Sequence, residues 1–98
     1  MKLEFHPEAE TEFLEAVSRY EAEVPGLGER LDSEVQKAGT LLLEYPEIGS
    51  PLDDGLRKLV LDRFPYYLIY FLYSEAVHIV AVAHEKREPG YWLERIYR

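Results

Sequence analysis

Residues 56–87, LRKLVLDRFPYYLIYFLYSEAVHIVAVAHEKR, decide the fold of this chain. Val, Ile, Leu, Tyr and Phe dominate the stretch, and such side chains suit a pleated, packed surface. It divides into three segments. Residues 56–64 alternate imperfectly, with Leu59 and Leu61 on one face and Lys58, Val60 and Asp62 on the other. Residues 66–73 are apolar on both faces. Residues 76–84 place Val77, Ile79, Ala81 and Ala83 on one side and His78, Val80, Val82 and His84 on the other. Strands apolar on both faces read as central ones. Phe64-Pro65 breaks the first junction, because proline cannot donate to a ladder. Ser74-Glu75 makes a two-residue turn without glycine. The reading is an antiparallel meander of three strands on which the rest of the chain packs.

Upstream, residues 2–5 form a short strand with Leu3 and Phe5 to one side. His6-Pro7 opens a helix: proline is preorganised for the first helical position, and Glu8, Glu10 and Glu12 complement the positive end of the dipole. Ala9, Phe13, Ala16, Val17, Tyr20 and Val24 make its apolar stripe, and Pro25-Gly26 stops it. A second helix spans about residues 28–44. Its stripe is Leu27, Leu31, Val35, Ala38, Leu41 and Leu42, and Tyr45-Pro46 ends it. Gly39 either weakens this helix or permits close approach to the first. The pair is a helical hairpin with facing stripes. Residues 46–55, PEIGSPLDDG, have loop chemistry. Downstream, Pro89-Gly90 precedes a short helix over 91–97, with Trp92 and Ile96 on one face. The expected order is β-α-α-β-β-β-α in one domain over residues 1–98. The class is α+β, with the hairpin on one face of a small, mainly antiparallel sheet and the other face partly open.

Composition narrows the function. A chain of 98 residues, nearly half of them apolar, carries a core without staples. There is no cysteine, hence no disulfide, thiol nucleophile or cysteine zinc site. No signal peptide or membrane-spanning run is visible. Residues 1–54 hold fourteen acids and four bases, a net of −10; residues 55–98 hold five and seven, a net of +2. This acidity disfavours stable DNA binding by the chain alone, since such affinity comes from neutralising phosphates.

No phosphate loop, H-E-x-x-H or serine elbow occurs, and no cofactor or metal is expected. Asp53-Asp54 reads as turn chemistry. His78 and His84 sit six apart on one strand face, about 20 Å, too far to share an ion. The first and third meander strands run parallel, which brings Arg63 and Lys86-Arg87 to one end of the sheet. With His84, Tyr91 and Trp92 they form a basic, aromatic corner, where arginine can clamp phosphate or carboxylate.

The ordered set F-H-P-E-A-E at 5–10, P-G-L-G at 25–28, Y-P-E-I-G at 45–49, R-F-P-Y at 63–66 and A-H-E-K-R-E-P-G-Y-W at 83–92 resembles the RelE/ParE superfamily. These are the toxins of bacterial type II toxin–antitoxin modules, also called plasmid stabilisation proteins. The resemblance implies the β-α-α-β-β-β fold, a small antitoxin partner and a cytoplasmic setting. RelE-like members cleave messenger RNA on the ribosome; ParE-like members bind DNA gyrase without hydrolysis. Tyr67 stands where the nuclease branch often has arginine, and Val60 where it is often basic. Arg87 matches that branch's arginine, and Tyr91 stands near its tyrosine. The ParE-like branch is therefore favoured, with Arg63, His84, Lys86, Arg87, Tyr91 and Trp92 as target-binding residues. The alternatives are a ribosome-dependent endoribonuclease using Lys58, Arg63, His84, Arg87 and Tyr91, and a solitary member without toxicity.

Overall fold

The structure, a computed structural model, describes residues 1–97; Arg98 lies outside the described residues. The element order is β1 (Lys2–Phe5), α1 (Pro7–Glu23), α2 (Leu27–Glu44), β2 (Ser50–Pro51), β3 (Arg57–Val60), β4 (Tyr66–Tyr73), β5 (Ala76–His84) and α3 (Leu93–Tyr97). The five strands form one sheet in the order β1-β5-β4-β3-β2. β1 runs parallel to β5, and every other pair is antiparallel. The class is α+β, as the pattern of the sequence implied.

Local chemistry sets the ends of the helices. His6 caps α1, its Nδ1 accepting from the Glu8 amide at 3.1 Å, with Pro7 in the first helical position. Gly26 turns the chain at φ 90° but has no side chain to cap α2. Glu21 of α1 does so instead, accepting from the amides of Gly26 (2.8 Å) and Gly28 (3.0 Å). The close approach of the two helices is at Gly28, not Gly39. A Cβ on Gly28 would lie 2.4 Å from the Val17 carbonyl oxygen, whereas one on Gly39 would meet Leu3 of β1.

The hairpin covers one face. Ala9, Phe13, Ala16, Leu31, Val35, Ala38 and Leu42 pack on Leu68, Tyr70, Val77, Ile79 and Val82 of the sheet. Val24 and Leu41, expected in these stripes, are exposed. The Tyr70 hydroxyl pins the loop after α2, donating to the Pro46 carbonyl (2.8 Å) and accepting from the Gly49 amide (2.9 Å). That loop is not structureless: Ser50 and Pro51 pair with Lys58 and Arg57, a short edge strand of the kind that tolerates proline. The first meander strand is shorter than 56–64. It ends at Val60, and residues 61–65 reverse the chain, with Leu61 N–H donating to Tyr66 O.

Two expectations for the far face fail. Between the pairs Ile69–Ala81 and Tyr70–Ile79, Val80 has no partner, so β5 bulges there. The extra residue flips the alternation: Val77 and Ile79 face the helices before it, Val82 after it. His78 and His84 consequently lie on opposite faces, not one. The far face is also less open than expected. Tyr67, Ile69, Val80, Ala81, Ala83 and Leu56 form a second core with Trp92, joined by Tyr91, Leu93 and Ile96 of the C-terminal segment. No helix among the described residues is long and apolar enough to cross a membrane.

Candidate functional site

β1 pairs with β5 only as far as Ile79. Beyond that point the outer edge of β5 is covered by side chains. Glu12, projecting from α1, accepts from the Val82 amide at 3.0 Å, and Arg95, projecting from α3, donates to the Val80 carbonyl at 2.9 Å. The two then grip each other, Nη1 to Oε1 and Nη2 to Oε2, at 2.9 and 2.8 Å. Arg87 and the Tyr91 hydroxyl also donate to Glu12, at 2.9 and 2.6 Å, and the Arg87 guanidinium lies 3.6 Å over the Tyr91 ring. Burial alone would raise the pKa of Glu12. The donors Arg95, Tyr91 and Val82 outweigh it, and the carboxyl sits below its ordinary value. Burial, then the hydrogen bond to Glu12, pushes the Tyr91 hydroxyl well above the usual phenol range. The cluster is thus a carboxylate with its donors supplied, holding the C-terminal segment on the sheet. Sequence reading put Glu12 only in a dipole role and passed over Arg95. Partners 83 positions apart leave no local signal.

The expected corner divides into three places. Arg63 and Lys86 are exposed and make no ion pair with any described carboxylate. Their loops meet where the Glu85 amide donates to the Pro65 carbonyl at 2.9 Å. His84 packs edge-on against Tyr66, ring centroids 5.0 Å apart, and its Nδ1 accepts from the Lys86 amide. Tyr66 in turn accepts from Arg19 at 2.6 Å, so Arg19 joins this end of the sheet without having been foreseen. Arg87 and Tyr91 belong to the Glu12 cluster. Trp92, expected among the target-binding residues, is 5% exposed and sits edge-on to Tyr67 in the second core. Lys58 lies on that same face, 4.3 Å over the Tyr67 ring. Among the described residues no group of three or more His, Asp or Glu stands together as a metal site.

A cleft of about 810 Å³ opens between α2 and the outer rim of β3. Ala38, Leu41, Leu59, Leu61 and Phe64 are in its walls, and Arg30, Lys37 and Arg63 stand beside them.

Residues 3–89 match the sequence model of the ParE toxin of the type II toxin–antitoxin system parDE. The chain belongs to the ParE toxin family. A ParE toxin belongs to a module with a cognate antitoxin. Comparison with the curated proteins gives no match. Among solved structures, the chain is similar in fold to one from a chromosomal ParDE TA system of P. aeruginosa. The TM-score is 0.74 at 17% identity, over 86% of this chain and 95% of that one. The ParE match ends before Tyr91 and Arg95, so two of the Glu12 donors come from outside the matched stretch.

Proposed function

We propose that this ParE-family chain arrests growth by binding DNA gyrase in the cytoplasm, stabilises the plasmid or locus that carries it, and is neutralised by its cognate antitoxin. The observation that carries the reading is the commitment of Arg87 and Tyr91 to Glu12. Ribonuclease chemistry needs a base, an acid and charge stabilisation converging on one phosphate. Here the candidates for those roles diverge. Arg87 and Tyr91 share a carboxylate, Lys58 lies over Tyr67 on the far face, and His84 rests on Tyr66. That leaves Arg63 and Lys86 as exposed cations for contact with a partner protein, with His84 at the end of β5 beside them. Recognition, not hydrolysis, suits this arrangement.

The test is induced expression with two purified assays. Trapped, cleaved DNA in a gyrase reaction, with ribosome-bound messages left intact, supports the reading. Message cleavage on purified ribosomes that disappears in Arg87→Ala overturns it in favour of the endoribonuclease. Arg63→Ala and Lys86→Ala test the contact surface, because neither side chain has an internal ion-pair partner. Growth arrest unchanged in the double variant removes these two residues from the site.

A further inference from the structure

The two edges of the sheet are finished differently. At one, β2 is two residues long and ends in proline. At the other, Glu12 and Arg95 cover β5 beyond Ile79. β1 itself is the end strand, and no described strand lies beyond it. Its backbone groups divide by alternation. The Lys2 amide donates to the Glu75 carbonyl at 3.2 Å, and the His6 amide to that of Ile79 at 2.8 Å. The backbone groups of Leu3 and Phe5 therefore point outward, away from β5. An edge of this kind is a template for another strand. The side chains divide in the same way. Leu3 and Phe5 pack on the core under the helices, while Lys2 and Glu4 are exposed on the opposite face. There a Glu4 oxygen lies 3.5 Å from the Nδ1 of His78, whose ring stacks on Phe71.

We propose that the outer edge of β1 pairs antiparallel with β1 of a second copy of this chain, across a two-fold axis at Leu3. The register follows from charge. A two-fold antiparallel pair of this edge must set outward-pointing residues in its hydrogen-bonded positions. Opposing Leu3 to Leu3 meets that condition and places Lys2 of each copy across from Glu4 of the other. A shift one way sets Lys2 against Lys2; a shift the other way sets Glu4 against Glu4. Opposite charges across a strand pair attract and like charges repel, so the alignment at Leu3 is the favoured one. In it the Leu3 amide of each copy donates to the Leu3 carbonyl of the other. A lysine on an edge strand ordinarily discourages pairing. Here Glu4, two residues on, answers it, because the run Lys2-Leu3-Glu4 complements itself when reversed. The joined edge makes one continuous sheet with both helical hairpins on the same side. This contact does not depend on the toxin reading.

The test is sedimentation velocity on the full chain from micromolar to millimolar concentration, because a single strand pair makes a small interface. The expected result is a concentration-dependent dimer. Lys2→Glu and Glu4→Lys should each weaken it roughly tenfold, since each sets like charges across the axis twice. Both side chains are exposed, and circular dichroism checks that the variants fold. Mixing the two single variants, one of them carrying a fluorescent label, should restore association as a heterodimer, because each then meets the charges that it lacks. Lys2→Glu combined with Glu4→Lys in one chain should restore the dimer as well. A chain that stays monomeric over the whole range overturns the inference. So does a dimer indifferent to both single reversals, or a loss that the mixture fails to restore.

Discussion

Arg95 holds Glu12 by both guanidinium nitrogens, and the same two side chains satisfy the Val80 carbonyl and Val82 amide on the uncovered edge of β5. Their side chains are 7% and 13% exposed. Removing Glu12 leaves the Arg95 charge buried and the Val82 amide unmet, so Glu12→Ala should cost roughly 3–5 kcal/mol. Urea unfolding measures it. Replacing Glu12 and Arg95 together by methionine should recover part of the loss, because no lone charge is then buried.

The same carboxyl makes stability depend on acid. Its pKa in the folded chain lies below the ordinary 4.5, so the stabilisation is complete above that pH. It disappears as pH falls through the lower folded value. Unfolding midpoints taken between neutral and acid pH should fall less steeply in Glu12→Gln than in the parent. Parallel curves would show that other carboxylates carry the acid sensitivity.

The β4–β5 turn holds both central residues in the left-handed region, Ser74 at φ 52° and Glu75 at φ 57°. That is the geometry of a tight hairpin turn that favours asparagine and glycine. Ser74→Asn with Glu75→Gly should therefore raise stability by about 1 kcal/mol. Thermal melting checks the gain.

Gly28 and Gly39 should respond differently to alanine. At Gly28 the obstacle is the Val17 backbone, which moves only with the helix, so overpacking should cost about 1–3 kcal/mol. At Gly39 the obstacle is the end of the Leu3 side chain, which can turn aside, and alanine favours the helix. Comparable losses at both positions would contradict the difference.

The facing helical stripes give the largest truncation effects. Leu31 is fully buried and Phe13 is 8% exposed, and each change to alanine should cost roughly 2–5 kcal/mol. Leu41→Ala, at the cleft, should change far less. Denaturation of the three variants side by side is the measurement.

The periodic signals were legible, and the long-range ones were not. Strands 66–73 and 76–84 read correctly because apolar density and turn residues bracket them. The bulge at Val80 did not, because Ile79, Val80, Ala81 and Val82 are all apolar and a uniform run carries no phase. Trp92 and Ile96 join the same core, but the helix expected from residue 91 begins only at Leu93, with Trp92 in the turn before it, and nothing in the spacing says that the indole packs on Tyr67. Arg63 and Lys86 were correctly brought to one end of the sheet by strand direction. Arg87 was grouped with them because strand order says where a residue starts, not where a long side chain finds its carboxylate.

The pairing of β1 with β5 carries a consequence for the order of synthesis. Leu3 sits beside Val77, and Glu12 finds its partners at residues 82, 87, 91 and 95. Elements near residue 3 are closed by elements more than 70 positions downstream. A growing chain can form the helical hairpin early, but the sheet edge stays unsatisfied until Arg95 has been translated. A chain cut short before Arg95 therefore lacks the clasp that fastens its own beginning.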